Sequence, residues 1–530
     1  MSGRQLFFNG IIITMDENQP IVEAVGIQND KIIAVGELED VKKLLGKEYI
    51  ATDLMGKTLL PGFIDSHMHP MSFMYVLMNL DLSTITSLKE LQEFLKKTAE
   101  KKGIGEVIFG FKLKEEMFDI PEMPNRWDLD VACPDNPVFI LRYDGHIGIA
   151  NTKALDLVGI TTETKVPKGG EIRKNKTGEL TGIISENALG VLYATIAKYR
   201  SSNPPNIKET AKKAFKLLAK KGITSFHGIT TPQRDIPLYQ MIQNEILQSW
   251  YSLVSIVDPS KFVELQRQKL DSKKEDSKFK TRCWKGYFDG TFGAKTAFMH
   301  EPFSDAPEKS GFTVISKEKM FHKMKIIHEN GFQIGIHAIG DKGNRVLVDL
   351  YKKLLEESPK DNHRHRIEHA SMLTEDVIKD IKKYNLIVAC QPPFINSEHT
   401  WLEKRLGKKR CKYTYPFKSI IDAGIIMASG SDSPIEDPDI ISGLHALVTR
   451  NGFVPEQCLK IEEALKTYTI NGAYAAFEEN IKGSIKVGKL ADLVILDKNP
   501  LEIDKDHIKD IQVLETIIRG KSVFKKDEII

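Results

Sequence analysis

Two rhythms of apolar and polar residues divide the chain. Near the start, short apolar or alternating runs (Leu6–Phe8, Ile11–Met15, Ala24–Ile27, Lys31–Val35) are separated by turn residues at Asn9-Gly10, Asp16–Pro20 and Asn29-Asp30, which reads as β-strands. The far end matches, with strand patterns at Ala491–Leu496 and Val513–Ile518 and a turn at Gly520-Lys521. Each end alone is too small for a good core, whereas together they would make one small β-sandwich, since chain ends are often close in space. From Leu59 short apolar strands alternate with helical patterns such as Lys208–Lys221 and Lys317–Asn330, which predicts βα units and a parallel sheet. Eight strands are expected, at Leu60–Ser66, Ile223–His227, Trp250–Val257, Cys283–Phe288, Gln333–His337, Arg366–His369, Ile387–Gln391 and Ile425–Ser429. Eight parallel strands with intervening helices is the count of a (β/α)8 TIM barrel.

The stretch from His69 to Ile223 is far too long for one βα unit. It holds its own strands, Glu106–Lys112 and Pro137–Arg142, and its own helix, Ser87–Lys102, so an inserted α/β subdomain is expected at about residues 81–205. The expected organisation is a composite β-sandwich from residues 1–57 and 481–530 and a barrel over 58–480 that carries the insertion.

Composition narrows the class. With 530 residues, 41% hydrophobic and 28% charged, the chain can bury a sizeable core and is no disordered polyelectrolyte. The 75 basic and 72 acidic residues leave a net charge of +3, so no global field favours a nucleic acid or an anionic membrane. The lysine-rich run Arg267–Arg282 reads as a solvated loop. Five cysteines lie far apart with no CxxC, against a disulfide framework and against a thiolate zinc site. No signal-peptide layout and no apolar stretch of the roughly 18 residues needed to span a bilayer is present, so a soluble cytoplasmic protein is expected.

The candidate chemistry sits at strand ends. His67-Met68-His69 follows the apolar run Leu59–Ile64, and residues two apart on a strand point the same way, so both imidazoles can converge on a metal ion. His337 ends Gln333–Ile336, His369 ends Arg366–Glu368, and Asp432 follows Ile426–Ser431. The carboxyl ends of barrel strands are where such enzymes place their chemistry. From His337 to His369 is about one βα unit, and from there to Asp432 about two. Four histidines and an aspartate supply ligands for zinc, manganese, iron or nickel, and Asp432 could also act as general base. Lys285, inside Cys283–Phe288, is out of place as an ammonium, which has no lone pair and would be repelled by metal ions. A neutral lysine can react with carbon dioxide to form a carbamate able to bridge two metals, and burial and metal charge would both lower its pKa.

These residues resemble the amidohydrolase superfamily of metal-dependent hydrolases, and within it the subgroup that includes N-substituted formamide deformylases. The matching stretches are Leu60-Pro61-Gly62-Phe63-Ile64-Asp65-Ser66-His67-Met68-His69, then Asp289-Gly290-Thr291-Phe292-Gly293-Ala294 with Thr296-Ala297, then His337-Ala338-Ile339-Gly340-Asp341, Arg366-Ile367-Glu368-His369-Ala370 and Gly430-Ser431-Asp432-Ser433-Pro434. Gly483-Ser484-Ile485 and Gly488–Val494 resemble the closing β segment. The resemblance implies a distorted barrel beside a β-sandwich built from both chain ends. It implies metal ligands at His67, His69, His337, His369 and Asp432, with Lys285 as the residue carboxylated to bridge a binuclear centre. It also implies substrate-facing roles for His146 and for Trp401, the latter in a loop with Arg405-Leu406-Gly407. His227, read as ending the second strand, faces the same mouth. Lys295 stands where similar proteins often have arginine, and Trp284 and Gly286 flank Lys285 where β-branched residues are expected. His363 and His365 precede a strand and are placed at the opposite, non-catalytic end, and Cys390 in the core.

The activity expected is hydrolysis of a non-peptide C–N bond in an amide, an N-substituted formamide or a cyclic amide. One or two divalent metals, zinc first, would supply hydroxide, and Asp432 would move the proton to the leaving nitrogen. A deaminase of heterocyclic amines, usually with one metal and no bridging lysine, is the alternative. A non-catalytic binding protein on the same fold is the third reading, disfavoured because every ligand position is filled. The expected partner is a small-molecule substrate, and similar proteins are often homodimers.

Overall fold

A computed structural model describes residues 3–143, 145, 147–167, 170–186, 188–193, 206–267 and 277–526. The chain divides into two compact units, Met1–Met71 with Phe215–Ile530, and Ser72–Ala214.

In the first unit eight strands form one parallel sheet: β1 (Phe63–Met68), β2 (Ile223–Thr230), β3 (Ser249–Ser255), β4 (Phe279–Tyr287), β5 (Gln333–Ala338), β6 (Arg366–His369), β7 (Ile387–Cys390) and β8 (Met427–Ser429). They follow one another in chain order, and every ladder between them is parallel. Helices cover such a sheet on its outside, so its strands are nearly continuous apolar runs; all eight residues of β2 are buried. Among the described residues no ladder joins β8 to β1. Two backbone hydrogen bonds close that seam just beyond the strands, Asp432 N to His67 O and His69 N to Ser433 O, each 2.7 Å. Gly430 permits the approach, because a Cβ there would stand 2.4 Å from the backbone nitrogen of His67. The fold is thus an α/β barrel, distorted at the seam where candidate ligands meet.

The apolar run Leu59–Ile64 is not one strand. Thr58–Pro61 pairs antiparallel with Leu493–Leu496, and β1 begins only at Phe63. Pro61 has no N–H with which to carry a ladder further. The terminal strands follow the order 521–525, 513–518, 493–496, 58–61, 4–13, 21–28, 31–36, with 50–53 on the side of 4–13. A bridge from Lys31 to Leu490 ties one edge back towards the C-terminal segment. Phe7, Ile12, Val25, Ile32, Leu59, Leu493 and Ile517 share one core, so both chain ends contribute to a single sheet where a sandwich was expected. Asn9-Gly10, expected as a turn, lies within the strand Arg4–Ile13 as an irregularity in register, with Asn9 at φ 57. Of the lysine-rich run, residues 268–276 lie outside the described residues, and Phe279–Arg282 belong to β4 and not to a loop.

The second unit is a six-stranded mixed sheet in the order 170–174, 180–186, 147–150, 138–142, 108–113, 80–81. Its central strand alternates strictly: Val138 and Ile140 enter one core, Phe139 and Leu141 the other. The helix Leu88–Lys102 is capped by Ser87, whose hydroxyl accepts from Glu90 N. This unit extends beyond residues 81–205 at both ends.

Three buried histidines cluster at the amino ends of β5 and β6. His365 Nδ1 accepts from Ile334 N (3.1 Å), and its Nε2 lies 2.8 Å from His328 Nδ1. His328 Nε2 donates to Ser358 O (2.8 Å). His363 Nδ1 accepts from His365 N (2.9 Å), and its Nε2 donates to Tyr384 O (3.0 Å).

Candidate metal centre

The opposite ends of the strands hold His67, His69, His337 and His369. β1 carries His67 into its last turn of backbone and releases His69 immediately after it, so both imidazoles face Asp432 across the seam. His67 Nε2 is 3.4 Å and His69 Nε2 3.1 Å from Asp432 Oδ1. Among the described residues these three form the cluster whose ligand atoms all lie within 4.8 Å of one another. The His369 ring centroid is 4.8 Å from that of His67 and 4.4 Å from that of His337, so the two later histidines continue the array along β5 and β6. Lys285, on β4, is 2% exposed, and its Nζ stands 4.9 Å from the Tyr287 ring centroid.

His369 and Asp432 adopt φ values of 72° and 57°, left-handed conformations that non-glycine residues rarely occupy. The turn at His369 breaks strand alternation. Neighbouring residues Glu368 and His369 therefore both reach the His67 ring, Glu368 by accepting a hydrogen bond from its Nδ1 at 2.5 Å.

The donor set fits a metal. His67 Nε2, His369 Nδ1, Asp432 Oδ1 and Lys285 Nζ are buried without a hydrogen-bond partner. Unpaired buried polar atoms are costly and call for a ligand. Burial lowers the Lys285 pKa to about 8 against the pull of Glu368 and Asp432. Burial alone would raise Asp432, but His67 and His69 hold its carboxyl well below the usual range. Burial and Lys285 oppose charging of His67, yet Asp432 and Glu368 together raise its pKa. Burial drives His337 down to about 3, a neutral imidazole that donates from Nε2 to Gly290 O at 3.0 Å.

Several site residues escaped the sequence reasoning. Besides Glu368, buried Asp65 accepts from His67 N (3.1 Å), Ser431 N (3.1 Å) and Ser431 Oγ (2.6 Å), which pins β1 to the segment after β8; burial raises its pKa to about 6. Asp289 accepts from Phe298, Ile339 and Gly340 N, each at 2.9 Å, and so joins the loops after β4 and β5; burial raises it to about 7. For Asp65 and Glu368 the available signal was a charge inside an apolar strand, which needs a buried partner.

Other expected positions differ. His227 does not end its strand: β2 runs on to Thr230, and the 1% exposed imidazole accepts at Nδ1 from Arg366 inside the barrel. Trp401 lies in a helix, Phe394–Leu406, and not in a loop. Phe394 of that helix lies parallel to the His369 ring, and Arg405 anchors its far end to Asp305 (2.8 Å) and Gly293 O (2.8 Å). Lys295 also reaches Asp305, at 3.4 Å. Trp284 and Gly286 are complementary, since the indole occupies the space a Cβ at 286 would need. His146 lies outside the described residues. Cys390 is buried.

Comparison with known proteins decides the family. The pattern described as "Amidohydrolase family" matches residues 51–524. The chain belongs to the amidohydrolase family. Among relatives of this amidohydrolase, "Putative amidohydrolase YtcJ" of Bacillus subtilis is 28% identical over 99% of this chain and 100% of its own. The N-substituted formamide deformylase of Arthrobacter pascens is 24% identical over 97% of both. A solved structure, an uncharacterized metal-dependent hydrolase from Pyrococcus horikoshii, superposes with a TM-score of 0.76 at 28% identity, over 95% of this chain and 99% of that one.

Proposed function

We propose that this amidohydrolase cleaves a non-peptide C–N bond of a small molecule, in an amide, an N-substituted formamide or a cyclic amide. The observation that carries the reading is the convergence of ligand atoms of His67, His69 and Asp432 within 4.8 Å of one another, with atoms of His67, His369, Asp432 and Lys285 buried and unpartnered. The near full-length similarity to a protein named N-substituted formamide deformylase supports the choice of bond. His67, His69, His337, His369 and Asp432 would hold divalent ions, zinc being the best match to imidazole and carboxylate. Such an ion supplies a Lewis acid that lowers the pKa of water and polarises a carbonyl.

The chain's own groups do the rest. Asp432 takes a proton from water at its carboxylate and delivers it to the departing nitrogen. Lys285 Nζ, with its lowered pKa, presents a lone pair more often than a free lysine does. It adds carbon dioxide with loss of one proton, giving a carbamate that would bridge two ions. Phe394 lies parallel to the His369 ring, with centroids 6.3 Å apart, and adds apolar surface beside it. The five cysteines are unpaired, which suits a reducing compartment, and we place the enzyme in the cytoplasm. No helix among the described residues is long and apolar enough to cross a membrane.

Metal analysis of the purified protein, with and without bicarbonate and added divalent ions, is the first test. About two ions per chain, a bicarbonate requirement and turnover of formamides or amides are expected. About one ion with no bicarbonate effect would favour a deaminase of heterocyclic amines. No ion under any loading condition would overturn the reading.

A further inference from the structure

Behind His67 runs a chain of contacts that reaches no solvent. Its members are Glu368 and Arg366 (both 0% exposed) and His227 (1%). Arg366 Nε donates to Glu368 Oε1 (2.7 Å), and Nη2 donates to Glu368 Oε2 (3.0 Å) and to Ser66 O (2.8 Å). Its remaining nitrogen, Nη1, donates to His227 Nδ1 (2.8 Å). Glu368 Oε2 meets His67 Nδ1 at 2.5 Å.

We propose that Glu368 is a positioning residue that sets the tautomer of His67, with Arg366 and His227 as its support. The inference rests on the metal-centre reading above. A guanidinium has donors only, and the carboxylate it holds can only accept. His67 Nδ1 must then carry the hydrogen, and in a neutral imidazole that leaves the single lone pair at Nε2. Nε2 is the atom without a partner, aimed at Asp432 Oδ1. The opposite tautomer would set two lone pairs against each other across 2.5 Å and turn an N–H into the centre. His227 completes the logic. Its Nδ1 accepts from Arg366, so it is neutral and adds no charge beside a pair that already balances. Burial and Arg366 both favour that neutral state.

A pair that merely filled space would behave differently, because two buried opposite charges can often be replaced together by apolar groups of similar volume without loss of stability. The test is the double substitution Arg366→Met with Glu368→Leu, which leaves no unpaired charge. Zinc affinity is measured by chelator competition, and the His67 tautomer by 15N NMR of labelled histidine in metal-free protein. The expected result is a chain that still folds without metal, zinc binding weaker by about 10–100-fold, and loss of the Nδ1–H signature. Wild-type zinc affinity with an unaltered Nδ1–H signature in the double variant would overturn the proposal. Should that variant fail to fold, the wild-type spectrum decides: a neutral His67 with its hydrogen on Nε2 and none on Nδ1 overturns the proposal, and a hydrogen on Nδ1 supports it. A wild-type chain that binds no zinc strikes at the metal reading alone, since the tautomer measurement still judges Glu368.

Discussion

The barrel uses buried histidine in opposite ways at its two ends. At the amino ends of β5 and β6, every ring nitrogen of His328, His363 and His365 has a partner. The acceptors and donors alternate so that each ring is neutral in one defined tautomer. At the carboxyl ends, His67 Nε2 and His369 Nδ1 are equally buried and have no partner. Both clusters are desolvated, and in both burial depresses histidine pKa values, so burial does not separate structure from chemistry. Completeness of pairing does. A closed network holds the fold together, whereas an open one is a demand for a ligand.

That contrast can be broken by substitution. The largest effect is expected at the open end: Asp432→Asn should lower turnover by about 10²–10⁴-fold while circular dichroism and melting temperature stay as in wild type. Full activity in that variant would remove Asp432 from the proton path. Next comes pH at the closed end. Burial holds His363 at about 4, below its ordinary 6.5, so the unfolded chain takes up a proton that the folded chain refuses. Stability should therefore be intact above about pH 6.5 and fall as the pH drops towards 4, by on the order of 3 kcal/mol from this residue. Denaturant titrations across that range should flatten in His363→Asn. His328→Leu strands the Nε2–H of His365 and the carbonyl of Ser358; a loss of about 1–3 kcal/mol is expected, with metal content unchanged. Smallest is Lys285→Met, which removes a buried amine without a partner. Metal-free protein should gain about 1–2 kcal/mol in a thermal melt while any bicarbonate effect on metal content disappears. Destabilisation instead would mean that the amine is satisfied in solution.

The barrel was legible because a parallel sheet covered on both faces writes itself as separate apolar runs, and a strand such as Arg366–His369 coincides with its pattern. The ends were less legible, since hydrophobicity cannot say which sheet a strand joins: Leu59 and Phe63 look alike but serve different sheets. His67, His69 and Asp432 could be picked out because their residue types and strand-end positions carry the chemistry, and the structure brings them together. Glu368 could not, because alternation assigns it and His369 to opposite faces, and only the positive φ at His369 brings both to one ring. His227 was misplaced for the same kind of reason, as its strand runs three residues past the apparent end.

The junction at Pro61-Gly62 has a consequence for biosynthesis. The strand that leads into His67 is held on one side by Leu493–Leu496, which is translated more than four hundred residues later. At about 5–20 residues per second, tens of seconds separate the two halves of that ladder on the ribosome. A nascent chain can gather its histidines early, but Thr58–Pro61 has no C-terminal partner until translation passes Leu496. The last strands to be made thus complete the sheet that Thr58–Pro61 shares with Ile11 and Ile12, and a chain truncated before Leu493 leaves one edge of that strand unpaired.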